Sequence, residues 1–108
     1  MTPEAAQTAV AEATRRLAAA FSPLAIYHFG SSVPGASAAP NDIDLVVIVE
    51  TSDEGYFERG ARAYHALHGV GVPVDVQVYT RAEFEGRAQR RVSFERAVAS
   101  HGRVVYAA

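Results

Sequence analysis

Asn41-Asp42-Ile43-Asp44-Leu45-Val46-Val47-Ile48-Val49-Glu50 is the stretch on which the reading of this chain turns. Taken as a strand from Asp42 to Glu50, its side chains alternate between two faces. Ile43, Leu45, Val47 and Val49 face one way; Val46 and Ile48 face the other. A strand apolar on both faces is central in its sheet and covered on both sides. Asp42 and Asp44 share a face at the start of that strand. Two carboxylates held side by side repel and raise each other's pKa. A cation between them removes that cost, and hard oxygen ligands suit magnesium or manganese rather than zinc.

Working outward, Leu24 to Phe29 reads as a short strand between Pro23 and Gly30. Gly30 to Asn41 is a loop rich in Gly, Ser, Pro and Ala, with room for one short helical turn opening at Ser31. Gly30 permits close backbone approach. Ser31 can cap that turn and leave amide N–H groups free to meet phosphate oxygens. Further upstream, Thr2 to Phe21 has helical spacing, with Ala6, Val10, Ala13, Leu17 and Ala20 as its apolar stripe. Thr2 caps it, Pro3 sits in the first turn, and Ser22-Pro23 stops it.

Downstream, Thr51 and Glu54 have capping-box spacing, which opens a helix to about His68, ended by Gly69 and Gly71. Pro73 to Tyr79 alternates strictly: Val74, Val76 and Val78 on one face, Asp75, Gln77 and Tyr79 on the other. Thr80 and Glu83 form a second capping box, opening a helix to about Arg90. Val92 to His101 reads as another helix closed by Gly102, and Arg103 to Tyr106 as a last strand. The order α-β-loop-β-α-β-α-α-β describes an α+β (mixed α/β) domain.

Asp75 is the third acid, in an otherwise apolar strand where an unpaired Asp is costly to bury. If its strand lies beside the second one, the three carboxylates Asp42, Asp44 and Asp75 converge as a two-metal site, with ions roughly 3.5–4 Å apart. Asp75 would then be the natural partner for a nucleophile's proton. Each part alone has a plainer reading: a cap for the Asp-x-Asp, an edge-strand residue for Asp75, an ordinary turn for Gly30-Ser31. Their combination carries the argument.

The bulk composition narrows the field. The 108 residues suit a single domain, 1–108. Cysteine is absent, which excludes disulfides, zinc-thiolate sites and thiol catalysis. Lysine is absent too, which removes the lysine P-loop and Schiff-base chemistry. A net charge of −2 does not indicate nucleic-acid binding. No apolar run could span a membrane, and Glu4 with no basic stretch argues against a signal peptide, so a cytoplasmic address is expected.

Gly30-Ser31-x-x-x-Gly35, followed by Asp42-x-Asp44 and apolar strand residues, resembles the signature of the DNA polymerase beta-like nucleotidyltransferase superfamily. It is most similar to the minimal nucleotidyltransferases (MNT) of prokaryotes. Val74 to Thr80 with Glu83-Phe84 resembles that family's third-acid strand and the helix after it. The ending Ala97 to Tyr106 resembles its tail. The resemblance implies a small mixed sheet flanked by helices, magnesium (or manganese), and transfer of a nucleoside monophosphate from a nucleoside triphosphate. Gly30, Ser31 and Ser32 would bind the nucleotide; Asp42, Asp44 and Asp75 would be catalytic and hold the metal. It further implies an adenylylating MNT antitoxin acting on a HEPN-type toxin as partner protein.

This chain departs from the family where many members carry arginines in the Gly-Ser turn; Ser32 and Pro34 stand there instead. Phosphate charge then needs other help, from Arg62, Arg81 or a partner. A catalytically weak or inactive nucleotide-binding subunit is the alternative reading. A phosphate hydrolase ranks last, since that acidic-strand class expects a lysine. Four further features have plain expectations: His28 as a structural or rim residue, His65 and His68 as helix-surface residues, Arg87, Arg90 and Arg91 as a solvated basic face, and Tyr27, Tyr56, Tyr64 and Tyr79 as core or rim, with the site mouth as the alternative for Tyr79.

Overall fold

The computed structural model describes residues 1–30, 32–36, 40–88 and 102–108. In chain order its elements are α1 (Pro3–Phe21), β1 (Ala25–Phe29), β2 (Ile43–Val49), α2 (Tyr56–Ala66), β3 (Val74–Thr80), α3 (Arg81–Ala88) and β4 (Arg103–Ala107). The four strands form one mixed sheet in the order β3-β2-β1-β4. β1 runs antiparallel to β2 and to β4, whereas β2 and β3 are parallel and joined through α2. This is the α+β architecture expected, with β2 central. The expected helix over 92–101, and the end of α3 beyond Ala88, lie outside the described residues.

Local chemistry explains most boundaries. Thr2 caps α1, its Oγ1 accepting from the Ala5 N–H at 3.1 Å, with Pro3 at the first position. Ser22 takes a left-handed conformation (φ 45°), its N–H closing on the Ala18 carbonyl, and Pro23 bars continuation. Ala6, Ala9, Val10, Ala13 and Leu17 are buried; Ala20, expected on the stripe, is exposed at the last turn. The capping box at α3 forms as expected. The Thr80 N–H donates to Glu83 Oε1 at 2.8 Å, and the Glu83 N–H donates to Thr80 Oγ1 at 3.2 Å.

The other expected capping box does not form. α2 starts at Tyr56 with Gly55 as its N-cap and no side-chain cap. Ser52 Oγ, not Thr51, organises the preceding turn by accepting from the Glu54 N–H at 3.0 Å. The Glu54 carboxylate instead pairs with Arg62 at 2.7 Å. A charged partner from the next helix turns outcompetes a neutral cap.

Apolar side chains cover both faces of the sheet. On one face Ile43, Leu45, Val47, Val76 and Val78 pack with Val10, Ala13 and Leu17 of α1 and with Ala63 of α2. On the other, Val46, Ile48 and Tyr79 pack with Phe84 of α3. Tyr79 is therefore a core residue, the first of its two expected settings, and does not face a site mouth. No helix among the described residues is long and apolar enough to cross a membrane.

A buried arginine clamps α2, β3 and α3 together. Arg59 is 2% exposed. Its guanidinium donates to the Val78 and Glu54 carbonyls at 3.3 and 3.1 Å and pairs with Glu83 Oε1 at 2.6 Å. Burial alone would raise the Glu83 pKa. The Thr80 N–H and the Arg59 guanidinium outweigh it and hold the carboxyl below its usual range. We expect Arg59→Met to destabilise the fold by about 2–3 kcal/mol, since the buried carbonyls lose charged donors, with the exposed side of Glu83 discounted for screening. Urea denaturation measures this. A folded pKa below the unfolded one contributes stability above the ordinary Glu range, lost as pH falls through the folded value. The parent's acid-side loss of stability between pH ~5 and ~3 should therefore be shallower in the variant.

Candidate active site

The parallel register of β2 and β3 pairs Asp44 with Asp75, Val46 with Gln77 and Ile48 with Tyr79. Register partners in a sheet point to the same face, about 4.8 Å apart in the pairing direction. Asp44 and Asp75 therefore stand side by side on the face covered further along by α3. Asp42 precedes β2, which begins at Ile43 rather than at Asp42. Its position is set by the strand mouth and not by strand pairing. Its charge still reaches Asp44, as the electrostatics show. The two paired acids line a cleft of about 210 Å³ with Phe29, Leu45, Tyr64, Val76 and Gln77.

On the other flank of Asp44 lies the end of β1, where Phe29 is its register partner. Gly30 follows with φ 89°, a conformation that favours glycine. A Cβ at Gly30 would collide with Asp44 Oδ2, so the backbone here packs directly against the carboxylate. Two turns follow in place of the expected helical turn. The Val33 N–H closes on the Gly30 carbonyl at 3.2 Å and the Ala36 N–H on the Val33 carbonyl at 3.0 Å. Pro34 and Gly35 (φ 86°) hold the two central positions of the second, as a type II turn requires. Val33 and Ala36 thus use their N–H groups internally and Pro34 has none. Among the described loop residues the exposed Gly35 keeps its N–H outside these turn bonds, whereas Ser32 is 2% exposed. Ser31 lies outside the described residues.

Ser32 supports this turn from below. It is buried, and its Oγ shares a 2.6 Å hydrogen bond with His28 Nε2. Gln7 of α1 donates to its carbonyl at 3.2 Å. His28 pairs in register with Leu45, on the face away from the acids, and is fully buried. Burial first, and the charge of Arg103 second, lower its pKa, so it stays neutral. His28 is thus structural, an anchor for the turn. Sequence reasoning missed the roles of Gln7, Phe29, Tyr64 and Gln77. Strand alternation did place Gln77 on the face of Asp75; the others needed the strand order.

Electrostatics confirm that the acids feel one another. Burial raises the Asp44 pKa, and the charges of Asp75 and then Asp42 raise it further. Among the described residues no three acidic or histidine side chains already form a finished metal cage. Arg62 and Arg81 do not serve the cleft. Arg62 pairs with Glu54, donates to the Ala20 carbonyl and covers the Phe21 ring. Arg81 pairs with Glu50 and Glu85. Glu50 lies six residues along from Asp44, roughly 20 Å at strand rise. His65 and His68 are exposed. Arg87 lies over the Tyr79 ring, and Arg90 and Arg91 fall outside the described residues.

A family model for the nucleotidyltransferase domain matches residues 10–100, a span that holds Gly30, Asp42, Asp44 and Asp75. The chain belongs to the nucleotidyltransferase domain family. Among solved structures, a Sulfolobus solfataricus protein provisionally described as a nucleotidyltransferase is similar, with a TM-score of 0.59. The two are 23% identical, over 77% of this chain and 77% of that one. That likeness establishes the nucleotidyltransferase fold. No curated protein matches.

Two substitutions probe the nucleotidyltransferase cleft. Gly30→Ala should lower stability by about 1–3 kcal/mol through its backbone conformation alone, measured by chemical denaturation, and should displace Asp44. Asp44→Asn should have the opposite effect on stability. A folded pKa above the unfolded one favours the protonated carboxyl, and that contribution is lost as pH rises through the folded value. At neutral pH and without metal, the variant should therefore melt above the parent, with the difference closing as pH falls toward ~4.

Proposed function

We propose that this nucleotidyltransferase is metal-dependent and moves AMP from ATP onto a hydroxyl of a second protein. The observation that carries this reading is the pairing of Asp44 with Asp75 on adjacent strands, with the Gly30 backbone packed against Asp44. The resemblance to minimal nucleotidyltransferases supports the adenylyl donor and an acceptor on another protein. A HEPN-type toxin, with this chain as antitoxin, is the leading candidate.

In that reaction the acceptor oxygen attacks the α-phosphorus while the bond to the β-phosphate breaks and pyrophosphate leaves. The triphosphate lies toward the 30–36 turn, where the exposed Gly35 N–H meets its oxygens. Asp75, exposed on its edge strand, takes the acceptor's proton. Magnesium or manganese, held by Asp42, Asp44 and Asp75, would neutralise the triphosphate and stabilise charge at the transferring phosphorus. The donor set fits: hard carboxylate oxygens whose repulsion an ion relieves. Magnesium is commonly held by one or two carboxylates plus substrate phosphates, so a pre-built protein cage is not required.

One observation favours a second reading, a nucleotide-binding regulatory subunit. No cationic side chain lines the acid cleft among the described residues. Calorimetry and a transfer assay separate the two. ATP should bind only with magnesium, and Asp42→Ala with Asp44→Ala should weaken it at least about 10–100-fold, the range for disturbing even a supporting ligand. Asp75→Asn should keep ATP binding but cut labelled-AMP transfer to a co-expressed neighbour protein about 10²–10⁴-fold. Binding without transfer to any candidate supports the regulatory reading. No magnesium-dependent ATP binding sinks both.

A further inference from the structure

The acid cleft continues into a second, apolar cleft that the chemistry above does not use. It holds about 310 Å³ and is lined by Tyr56, Phe57, Gly60, Ala61, Tyr64, Val76 and Gln77. Tyr64, Val76 and Gln77 belong to both clefts. Phe57, Gly60 or Ala61, and Tyr64 follow one another at helical spacing along a single face of α2. Phe57 is 86% exposed and Tyr64 50%, two of the three large apolar side chains so exposed among the described residues. Between them, a Cβ at Gly60 would meet nothing within 4 Å, so the floor of this cleft is open. Exposed aromatics flanking an open floor are the usual anchors of a protein contact.

The strand order tells which substrate belongs here. The 30–36 turn, which receives the triphosphate in the reading above, lies on the β1 side of Asp44. The apolar cleft lies on the opposite side, beyond Asp75 and along the sheet's open edge. An oxygen attacking opposite the leaving pyrophosphate must approach from that side. We propose that the α2–β3 cleft is the acceptor-docking surface and takes a segment of a second protein in which a hydroxyl-bearing residue is flanked by apolar side chains. This rests on the transfer reading for its chemistry, but its occupancy is separately measurable. The exposed Asp75, which lines the adjoining acid cleft, favours a segment with basic flanks. The Gln77 Oε1 accepts from the Tyr56 and Tyr79 hydroxyls, which locks the amide between the two clefts and leaves its N–H groups to meet the incoming segment.

The test is a pair of amide-shift titrations without nucleotide. The probes are the peptide N-acetyl-Lys-Leu-Tyr-Leu-Lys-amide and its counterpart with serine in place of both leucines. The first should shift the Gly60, Ala61 and Gln77 amides and bind about tenfold more tightly than the second. Gly60→Leu, which fills the floor and suits a helix, should weaken it about tenfold, as should Phe57→Ala. Neither variant should change magnesium-dependent ATP affinity. Equal binding of both peptides, shifts elsewhere, or no shifts at millimolar peptide would overturn the proposal. So would a parallel loss of ATP affinity, which would give the cleft to the nucleotide base. Peptide binding without ATP binding retires the transfer reading alone; ATP binding without peptide binding retires this one alone.

Discussion

The register between β2 and β3 is the constraint on which the site depends. Asp44 and Asp75 repel, so their own chemistry opposes the pairing that brings them together. The opposite face supplies the force. Leu45, Val47, Val76 and Val78 are buried there against α1 and α2. A slip of β3 by one residue would turn Val76 and Val78 away from the core and bring Asp75 to that face instead. The hydrophobic pattern on one face thus fixes where the acids fall on the other, and burial of several Val and Leu side chains, at roughly 1.5–3 kcal/mol each, outweighs the repulsion of one partly solvated carboxylate pair.

β1 extends this division of labour to the turn after Gly30. Two successive residues on it serve opposite faces. Phe29 lines the acid cleft beside Asp44, while His28 reaches into the core and holds Ser32. The turn is gripped from beneath by His28 and from the side by Gln7 of α1. Gly30 is the hinge between these roles. Its missing Cβ makes room for the Asp44 carboxylate, and its positive φ starts the turn. The backbone that would meet phosphate and the carboxylate that would meet metal are therefore positioned by one contact.

How much of this was legible in the sequence follows the range of the interactions. Strand alternation identified β2 and β3, put Gln77 on the face of Asp75, and marked Asp44 as an acid at a strand mouth. The Thr80–Glu83 box and the Thr2 cap are local and formed as read. The Thr51–Glu54 box is equally local in pattern, yet Arg62 captures Glu54, and only the fold brings α2's face to that turn. Arg59 looks like any solvated helix residue until the setting of α2 buries it against Val78 and Glu83. Arg62 and Arg81 looked available to phosphate because strand length, not composition, decides that they lie at the far end of the sheet. Tyr79 shares a face with Asp75, but alternation does not say that α3 covers that face beyond Gln77.

The two paired acids also differ in ways that suit different tasks. Asp44 sits on a central strand between Phe29 and Asp75, partly desolvated, with its carboxylate against the Gly30 backbone. It can scarcely move, and its ionised form is the one that gains most from a bound cation. Asp75 stands on the edge strand in water, with open space beyond it along α2. A carboxylate there can exchange a proton with an arriving hydroxyl without a path through the core. Neighbouring titratable groups placed in unlike surroundings divide roles between them. Strand order alone produces that asymmetry here. In the transfer reading proposed above, the inner position would make a rigid ligand and the outer one a proton acceptor, and the same order would leave the acceptor only one side from which to come.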